Sequence, residues 1–308
     1  MRLLVTGASG LLGLNLSLTA QARGYAVTGL LHSRRLQGVP FDTLRADLLN
    51  QSAALAEIEA ARPEALIHCA ALASLNAAEA APDLAARLNG EVPGFLAEAA
   101  NRWGVPFVHI STDAVFDGRT AGGYDESDPP NPLSVYARTK LAGEKAVLSA
   151  NPKAAVARVV FYGWSLSGRR SLSEFFFNNL LTGTPIKGFS DTYFCPLYVE
   201  DLAVLLLEML EKRLSGVYHV VSSEHLSKYD FGVRIAKRFG FDPGLITPVG
   251  MADLARGAPR ALRLVLETDK LEDVLGHSPP GIAAGLDKLH QRWETGYPEQ
   301  IQAYAAGQ

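Results

Sequence analysis

The apolar positions of this chain fall into short runs separated by longer stretches of helical period. Over residues 1–160 the runs are RLLVTG, YAVTGLL, ALIHCAAL, FVHIST and AAVARVVF, each apolar on both faces and β-branched in places. Strands covered by helices on both sides read this way, because neither face of such a sheet meets water. Strand alternating with helix is the rhythm of a parallel sheet joined by crossover helices. The pattern predicts an α/β fold, a doubly wound parallel sheet. After Gly163 the alternation decays into a loop with Arg169 and Arg170, a helix (LSEFFFNNLLTG) and a short strand (PIKGF). YVEDLAVLLLEMLEKR then reads as a helix returning to the main sheet, and GVYHVVS as a further strand. Ser227 to Asp230 reads as a capping box for YDFGVRIAKRFG. LITPV, the stretch around PRALRLVLE and helices near 268–275 and 282–294 complete a small mixed region. The expected division is a nucleotide-binding domain over 1–163, to which 197–222 returns. A smaller C-terminal mixed α/β substrate lobe is expected from 164–196 and 223–308.

One helical stretch contradicts its own period. PDLAARLNGEVPGFLAEAANRWG contains Pro93, which lacks an N–H and crowds the carbonyl four residues back. A kink is expected there, leaving the Asn89 carbonyl free.

Composition narrows the partners. The 308 residues carry 29 Lys and Arg against 32 Asp and Glu, a formal net charge of −3. Such a balance offers no basic surplus for a nucleic-acid backbone or an anionic membrane. The two cysteines, Cys69 and Cys195, form no CxxC or Cys/His cluster, so neither a disulfide framework nor structural zinc is expected. The apolar run LAVLLLEML is interrupted by Glu208 and too short to span a bilayer. The chain opens directly on a strand without a basic leader, and a cytoplasmic location is expected.

Chemistry enters at the first turn. LLVTGASGLLG spaces Gly7, Gly10 and Gly13 three apart between a strand and a helix. Gly7 permits a tight turn, Gly10 lets backbone approach a pyrophosphate, and Gly13 allows close packing, with the phosphates at the helix N-terminus beside Ser9, Leu11 and Leu12. The second strand ends in His32, Ser33, Arg34 and Arg35, where an NAD site would carry a carboxylate and a 2′-phosphate wants arginine. NADPH is therefore expected over NADH. Asp47 and Leu48 follow a short extended stretch where a carboxylate could accept the adenine amino group. Cys69, Ala70 and Ala71 end the ALIHCAAL strand in small residues over which a cofactor could lie, while His68 reads as a core residue. FVHIST ends in Ser111 and Thr112 at the sheet's C-terminal edge, where a hydroxyl can donate to a substrate carbonyl oxygen. Twenty-four residues beyond Thr112 stands SVYARTKLAGEKAV. Its Tyr136 and Lys140 share one helix face, so the ammonium can sit beside the phenol. Bringing a free tyrosine to neutrality takes about 3 pKa units, ~4 kcal/mol. A cation at about 4 Å in an effective dielectric near 20 supplies about that much.

TGASGLLG, HISTDAVFDG, YARTKLAGEKAV, RVVFYG, PLYVEDLA and GVYHVVSSEHLSKYDF together resemble the extended short-chain dehydrogenase/reductases, with the Rossmann fold, and among them the dTDP-4-dehydrorhamnose reductase family. The resemblance implies NADPH-dependent reduction of a 4-keto sugar nucleotide. Thr112 would polarise the carbonyl, Tyr136 donate the proton, and Lys140 hold the ribose and lower the tyrosine pKa. Asn89, Ser111, Tyr136, Lys140 and Phe161 join the cofactor contacts. Ala114, Tyr193, Arg260 and Arg263 join Thr112 on the substrate side, and a homodimer is possible. The chain departs from the family's RPxNSxLD at Arg260–Glu267, from its Asn-Phe helix start at Ser171-Leu172, and from DQxGxPT at Asp191–Leu197. Arg263 and the bulky Tyr193 and Phe194 are expected to reshape the substrate cleft. Leu14 and Asn15 supply no carboxylate for the family's dimer-bridging magnesium, and no metal is expected. Two alternatives stay open: an epimerase or dehydratase recycling NAD, and a non-catalytic cofactor-binding protein similar to the regulatory beta subunit of methionine adenosyltransferase.

Overall fold

The structure is a computed structural model and describes residues 1–254 and 259–305. In chain order its strands are β1 (Arg2–Thr6), β2 (Ala26–Leu31), β3 (Asp42–Arg45), β4 (Ala65–His68), β5 (Phe107–Thr112), β6 (Ala155–Val159), β7 (Phe161–Tyr162), β8 (Ile186–Phe189), β9 (Tyr193–Phe194), β10 (Leu197–Tyr198), β11 (Gly216–Val220), β12 (Leu226–Ser227), β13 (Ile246–Val249) and β14 (Arg263–Leu264). Seven of them form one sheet in the order β11-β6-β5-β4-β1-β2-β3, with every pairing parallel. The expected doubly wound Rossmann sheet is the one observed. Every residue of β4 and β5 is buried, as the two-sided apolar runs require.

The helices that flank it begin with α1 (Leu11–Ala22), α2 (Gln51–Ala60), α3 (Leu75–Ala80), α4 (Pro82–Ala85), α5 (Val92–Trp103), α6 (Val135–Ala150), α7 (Leu172–Leu181), α8 (Val199–Glu211) and α9 (Lys228–Arg238). Successive strand residues point to opposite faces, so the sheet builds two cores. Leu3 and Val5 pack with Leu14 and Leu16 of α1 and Leu202, Leu205 and Leu206 of α8. Leu4 and Leu66 pack on the other face with Val92, Leu96 and Ala97 of α5 and Val147 of α6. Strand order reverses between β1 and β4, opening the crevice where open α/β sheets take ligands. No helix among the described residues is long and apolar enough to cross a membrane.

The stretch around Pro93 is divided where one kinked helix was expected. Residues Ala86–Glu91 form a π-helical turn between α4 and α5, which accommodates a proline that can neither donate nor tolerate a close carbonyl. The Asn89 carbonyl presses on α6, where a Cβ added to Gly143 would lie 2.2 Å from it. The capping box at Ser227 is also only half realised. Its hydroxyl accepts from Asp230 N at 3.0 Å but donates to the Asp230 carboxylate at 2.6 Å, because aspartate is one carbon too short to reach back to the backbone. The complete box opens α7, where Ser171 and Glu174 cap each other reciprocally.

Beyond the main sheet, β9 lies between antiparallel β12 and parallel β14, and β8 pairs with β13. Phe194 of β9 does not line a cleft as expected. In so short a strand neighbours alternate sides, and Phe194 turns inward against Phe231 at 5.6 Å between centroids.

Candidate active site

β5 delivers the first chemical group. Its last residue, Thr112, turns the chain by accepting Ala114 N at 3.2 Å, and a short 3-10 turn follows over Asp113–Val115. The Thr112 hydroxyl donates to Asp113 Oδ1 at 3.0 Å. Burial pushes the Asp113 carboxyl up to about 6, while Thr112 and Lys228 pull it the other way. Ala114 is half-buried behind them.

α6 delivers the second group. Ser134 caps it by accepting Ala137 N at 3.2 Å, and the helix is docked at its start by Val135 N donating to Glu79 Oε1 at 2.8 Å. Within the first turn, Tyr136 faces Thr112 at the end of β5. Burial pushes its phenol up to about 12, the Thr112 hydroxyl draws it down, and Asp113 adds to the rise. Lys140 takes another direction. Its buried ammonium donates to the Ile110 carbonyl at 2.6 Å and lies 3.3 Å from His109 Nε2. Burial draws it down to about 8, against Glu144 and Cys69. The expectation that Lys140 brings the phenol toward neutrality is thus not met in this structure. A shared helix face fixes where a side chain starts, and the long lysine stem carries its charge into the sheet.

The nucleotide side is built around the glycine turn. Gly7 has φ of 68°, and a Cβ there would come within 2.8 Å of the Ala70 backbone, so the β1 and β4 turns lie against each other. A Cβ on Gly13 would be 2.3 Å from the Gly7 carbonyl, so the helix seats on the turn itself. Gly10 is the N-cap of α1, with no side-chain cap and no acidic residue in the first turn. The amides that follow, from Leu11 and Leu12, start a helix whose N-terminus can accept an anion. Ser9 is half-buried beside them. His32, Ser33, Arg34 and Arg35 are all exposed at the end of β2, and neither arginine has an ion pair among the described residues. Asp47 accepts Leu49 N at 2.9 Å and lies 3.9 Å from His32, with Leu48 buried beside it.

Two of the expected cofactor residues serve packing through their side chains. Asn89 holds the loop after β4 by accepting Leu72 N at 2.8 Å and donating to the Leu72 carbonyl, and it reaches Thr139 of α6 at 3.2 Å. Ser111 donates to Glu144 at 2.5 Å, which in turn is paired with Arg158 at 2.8 Å. Phe161 is half-buried in β7. Near the opposite wall, Arg263 stands 5.4 Å over the Tyr193 ring, and its Nε is buried without a hydrogen-bond partner. Arg260 is exposed, and with Asp113 it acts on Lys228, whose pKa is lowered first by burial and then by Arg260. Among the described residues no group of His, Cys, Asp and Glu could hold a metal. Asn15 is a buried brace, donating to the Leu11 and Trp164 carbonyls and accepting from Tyr297.

Sequence reasoning missed His109, Asp113, Glu144, Arg158 and Lys228. Asp113 was open to inference from its place in STD at a strand end; the others lie within HISTDAVFDG, YARTKLAGEKAV, RVVFYG and GVYHVVSSEHLSKYDF, but their roles were hidden because each meets its partners across the fold.

Comparison with known proteins identifies the family. The family model "RmlD substrate binding domain" matches residues 1–294. A probable low-salt glycan biosynthesis reductase of Haloferax volcanii is 35% identical over 92% of this chain and 96% of that protein. The beta subunit of methionine adenosyltransferase 2 from Xenopus tropicalis is 34% identical over 91% of this chain and 84% of its own length. The crystal structure of a dTDP-4-dehydrorhamnose reductase from Bacillus anthracis in complex with NADP superposes with a TM-score of 0.83 and 26% identity, covering 94% of this chain and 98% of that one. The glycine turn, the Thr112, Tyr136 and Lys140 set and these matches lead to one conclusion: the chain belongs to the RmlD substrate binding domain family, among the dTDP-4-dehydrorhamnose reductase-like extended short-chain dehydrogenase/reductases, which are NAD(P)-dependent oxidoreductases.

Proposed function

We propose that the protein is an NADPH-dependent reductase of a 4-keto sugar nucleotide. One observation carries the reading: Thr112, at the C-terminal edge of the sheet, stands close enough to Tyr136 to draw its phenol down, so two hydroxyls flank the place a carbonyl would occupy, with the Thr112 proton resting on Asp113. The named reductases among the relatives support it. NADPH, when bound, supplies the hydride to the keto carbon. A phenol held at about 12 is protonated through the neutral range, the form an acid must have to protonate the developing alkoxide. Thr112 turns its one proton from Asp113 to the same oxygen and stabilises charge as it builds. Lys140 places a buried cation one turn away and, on this reading, binds the cofactor's ribose.

The residues present suit that cofactor. The uncapped N-terminus of α1 takes the pyrophosphate and the unpaired Arg34 and Arg35 take a 2′-phosphate, which favours NADPH over NADH. Residues 164–196 and 223–308 form the substrate side, with Tyr193, Arg260 and Arg263 reading the nucleotide.

The test is consumption of NADPH by the purified protein with a panel of 4-keto sugar nucleotides. Tyr136→Phe should lower turnover by about two orders of magnitude or more; full turnover in that variant refutes the mechanism. The likeness to the beta subunit of methionine adenosyltransferase 2 favours a second reading, that this chain is a non-catalytic cofactor-binding protein acting through a partner. Co-purification with a methionine adenosyltransferase, together with NADPH binding and no turnover on any sugar nucleotide, selects it.

A further inference from the structure

Two histidines lie directly beneath the site and no step above uses them. His68 of β4 and His109 of β5 are partners in register, so they stand on the same face of the sheet. Their rings stack at 5.3 Å and 20°, and they are 1% and 0% exposed. The geometry points to His109 as a positioning residue for Lys140: its neutral, Nδ1-protonated ring accepts the ammonium through Nε2, and His68 backs it in the opposite, Nε2-protonated tautomer. The inference rests on the proposed role of Lys140 at the cofactor.

The tautomers follow from counting hydrogens. Thr6 Oγ1 accepts two backbone amides, Cys69 N at 3.1 Å and Ala70 N at 3.2 Å. A hydroxyl has two acceptor sites and one proton, so its third contact, 2.7 Å to His68 Nδ1, is a donation. His68 Nδ1 is then an acceptor and the proton sits on Nε2. An ammonium has three donors and no acceptor, so His109 Nε2 must accept from Lys140 and its proton sits on Nδ1. Both protonated nitrogens, His68 Nε2 and His109 Nδ1, are buried without a partner. Each ring therefore spends a desolvated N–H in order to offer an acceptor at the other nitrogen. With Ile110 and His109 occupying two of the three Lys140 N–H groups, one is left for a ligand.

The charge facing both imidazoles is that of Lys140 from α6, and Lys140 is itself faced by Glu144 of the same helix and by Cys69, the residue after β4. Burial, then the Lys140 charge, draws both imidazoles down, His68 to about 3, so both stay neutral when the lysine is charged.

Nitrogen-15 NMR of the full-length protein tests this without substrate. Long-range imidazole spectra should show His109 protonated at Nδ1 and His68 at Nε2, with neither ring titrating through the neutral range. The Lys140 Nζ signal, assigned with Lys140→Met, should titrate lower in His109→Phe by about 1 pH unit, because a bond to the charged form is lost. His109→Gln, which keeps an acceptor, should restore most of the shift, and the alkaline limit of NADPH binding should move in step. Identical tautomers, an ordinary histidine titration, or a Lys140 titration unmoved in folded His109→Phe would overturn the inference. The wild-type tautomers decide it even if the Phe variant does not fold. Failure to reduce any sugar nucleotide with these NMR results intact would remove the proposed function and leave His109 as the lysine's positioning residue.

Discussion

Asp113 is a carboxyl held where its charge is costly, beside Thr112 and Tyr136. Its pKa is 3.8 in an ordinary setting and about 6 here, first through burial. About 2 units correspond to ~3 kcal/mol. The folded state binds this proton more tightly than the unfolded state, so the group's stabilising contribution is complete below pH 3.8 and is lost as pH rises through about 6. Asp113→Asn, which keeps an acceptor for Thr112, should therefore be more stable than wild type above that range, by up to ~3 kcal/mol, and equal to it in acid. Denaturant unfolding at the two ends of the range reads this directly, and a pH-independent difference would refute it. At the cofactor end, replacing Arg34 and Arg35 together by Ser removes two exposed cations opposite the proposed 2′-phosphate. NADPH affinity should fall by about 10-fold or more while NADH affinity stays nearly unchanged, as read by fluorescence titration. At this scale the sequence was legible for Thr112, Tyr136 and Lys140, which lie in compact motifs. It was not legible for the direction of the Lys140 side chain, because several torsions separate its charge from the backbone position that spacing specifies.

The same limit holds for elements, in another form. The period identified the strands and most helices, and Pro93 announced a disturbance, but the π-helical turn over Ala86–Glu91 depends on what packs against it. Gly143 is the contact. A methyl there would lie 2.2 Å from the Asn89 carbonyl, a backbone atom that cannot swing away. Gly143→Ala should destabilise the protein by about 1–3 kcal/mol, measured by thermal unfolding. It should also weaken NADPH binding, since α6 carries Tyr136 and Lys140 and is tied through Thr139 to Asn89. An unchanged melting temperature would show that the freed carbonyl does not brace α6.

Across the whole molecule, a buried polar chain joins β5 to the far side of the sheet. Ser111 of β5 donates to Glu144 of α6, Glu144 pairs with Arg158 of β6, Arg158 reaches His219 of β11 at 3.5 Å, and His219 Nδ1 lies 3.1 Å from the Glu267 carbonyl. The Arg158 and Glu144 side chains are 4% and 3% exposed. Arg158→Met should cost about 3–5 kcal/mol by leaving a carboxylate buried without its partner, and adding Glu144→Leu should recover most of that loss. Unfolding free energies of the two variants test it; no recovery in the double variant would mean the pair matters for more than mutual neutralisation. By itself the sequence determined the parallel sheet, the glycine turn and the family, because strand period, turn residues and motif spacing are local properties written in neighbouring positions. Only the tertiary structure decided that Lys140 meets His109, that Ser111 serves Glu144, and that Asp113, Lys228 and Arg260 converge. Those partners are 31 and 33 residues apart in the first two cases, and chain separation carries no information about contact until packing brings the elements together.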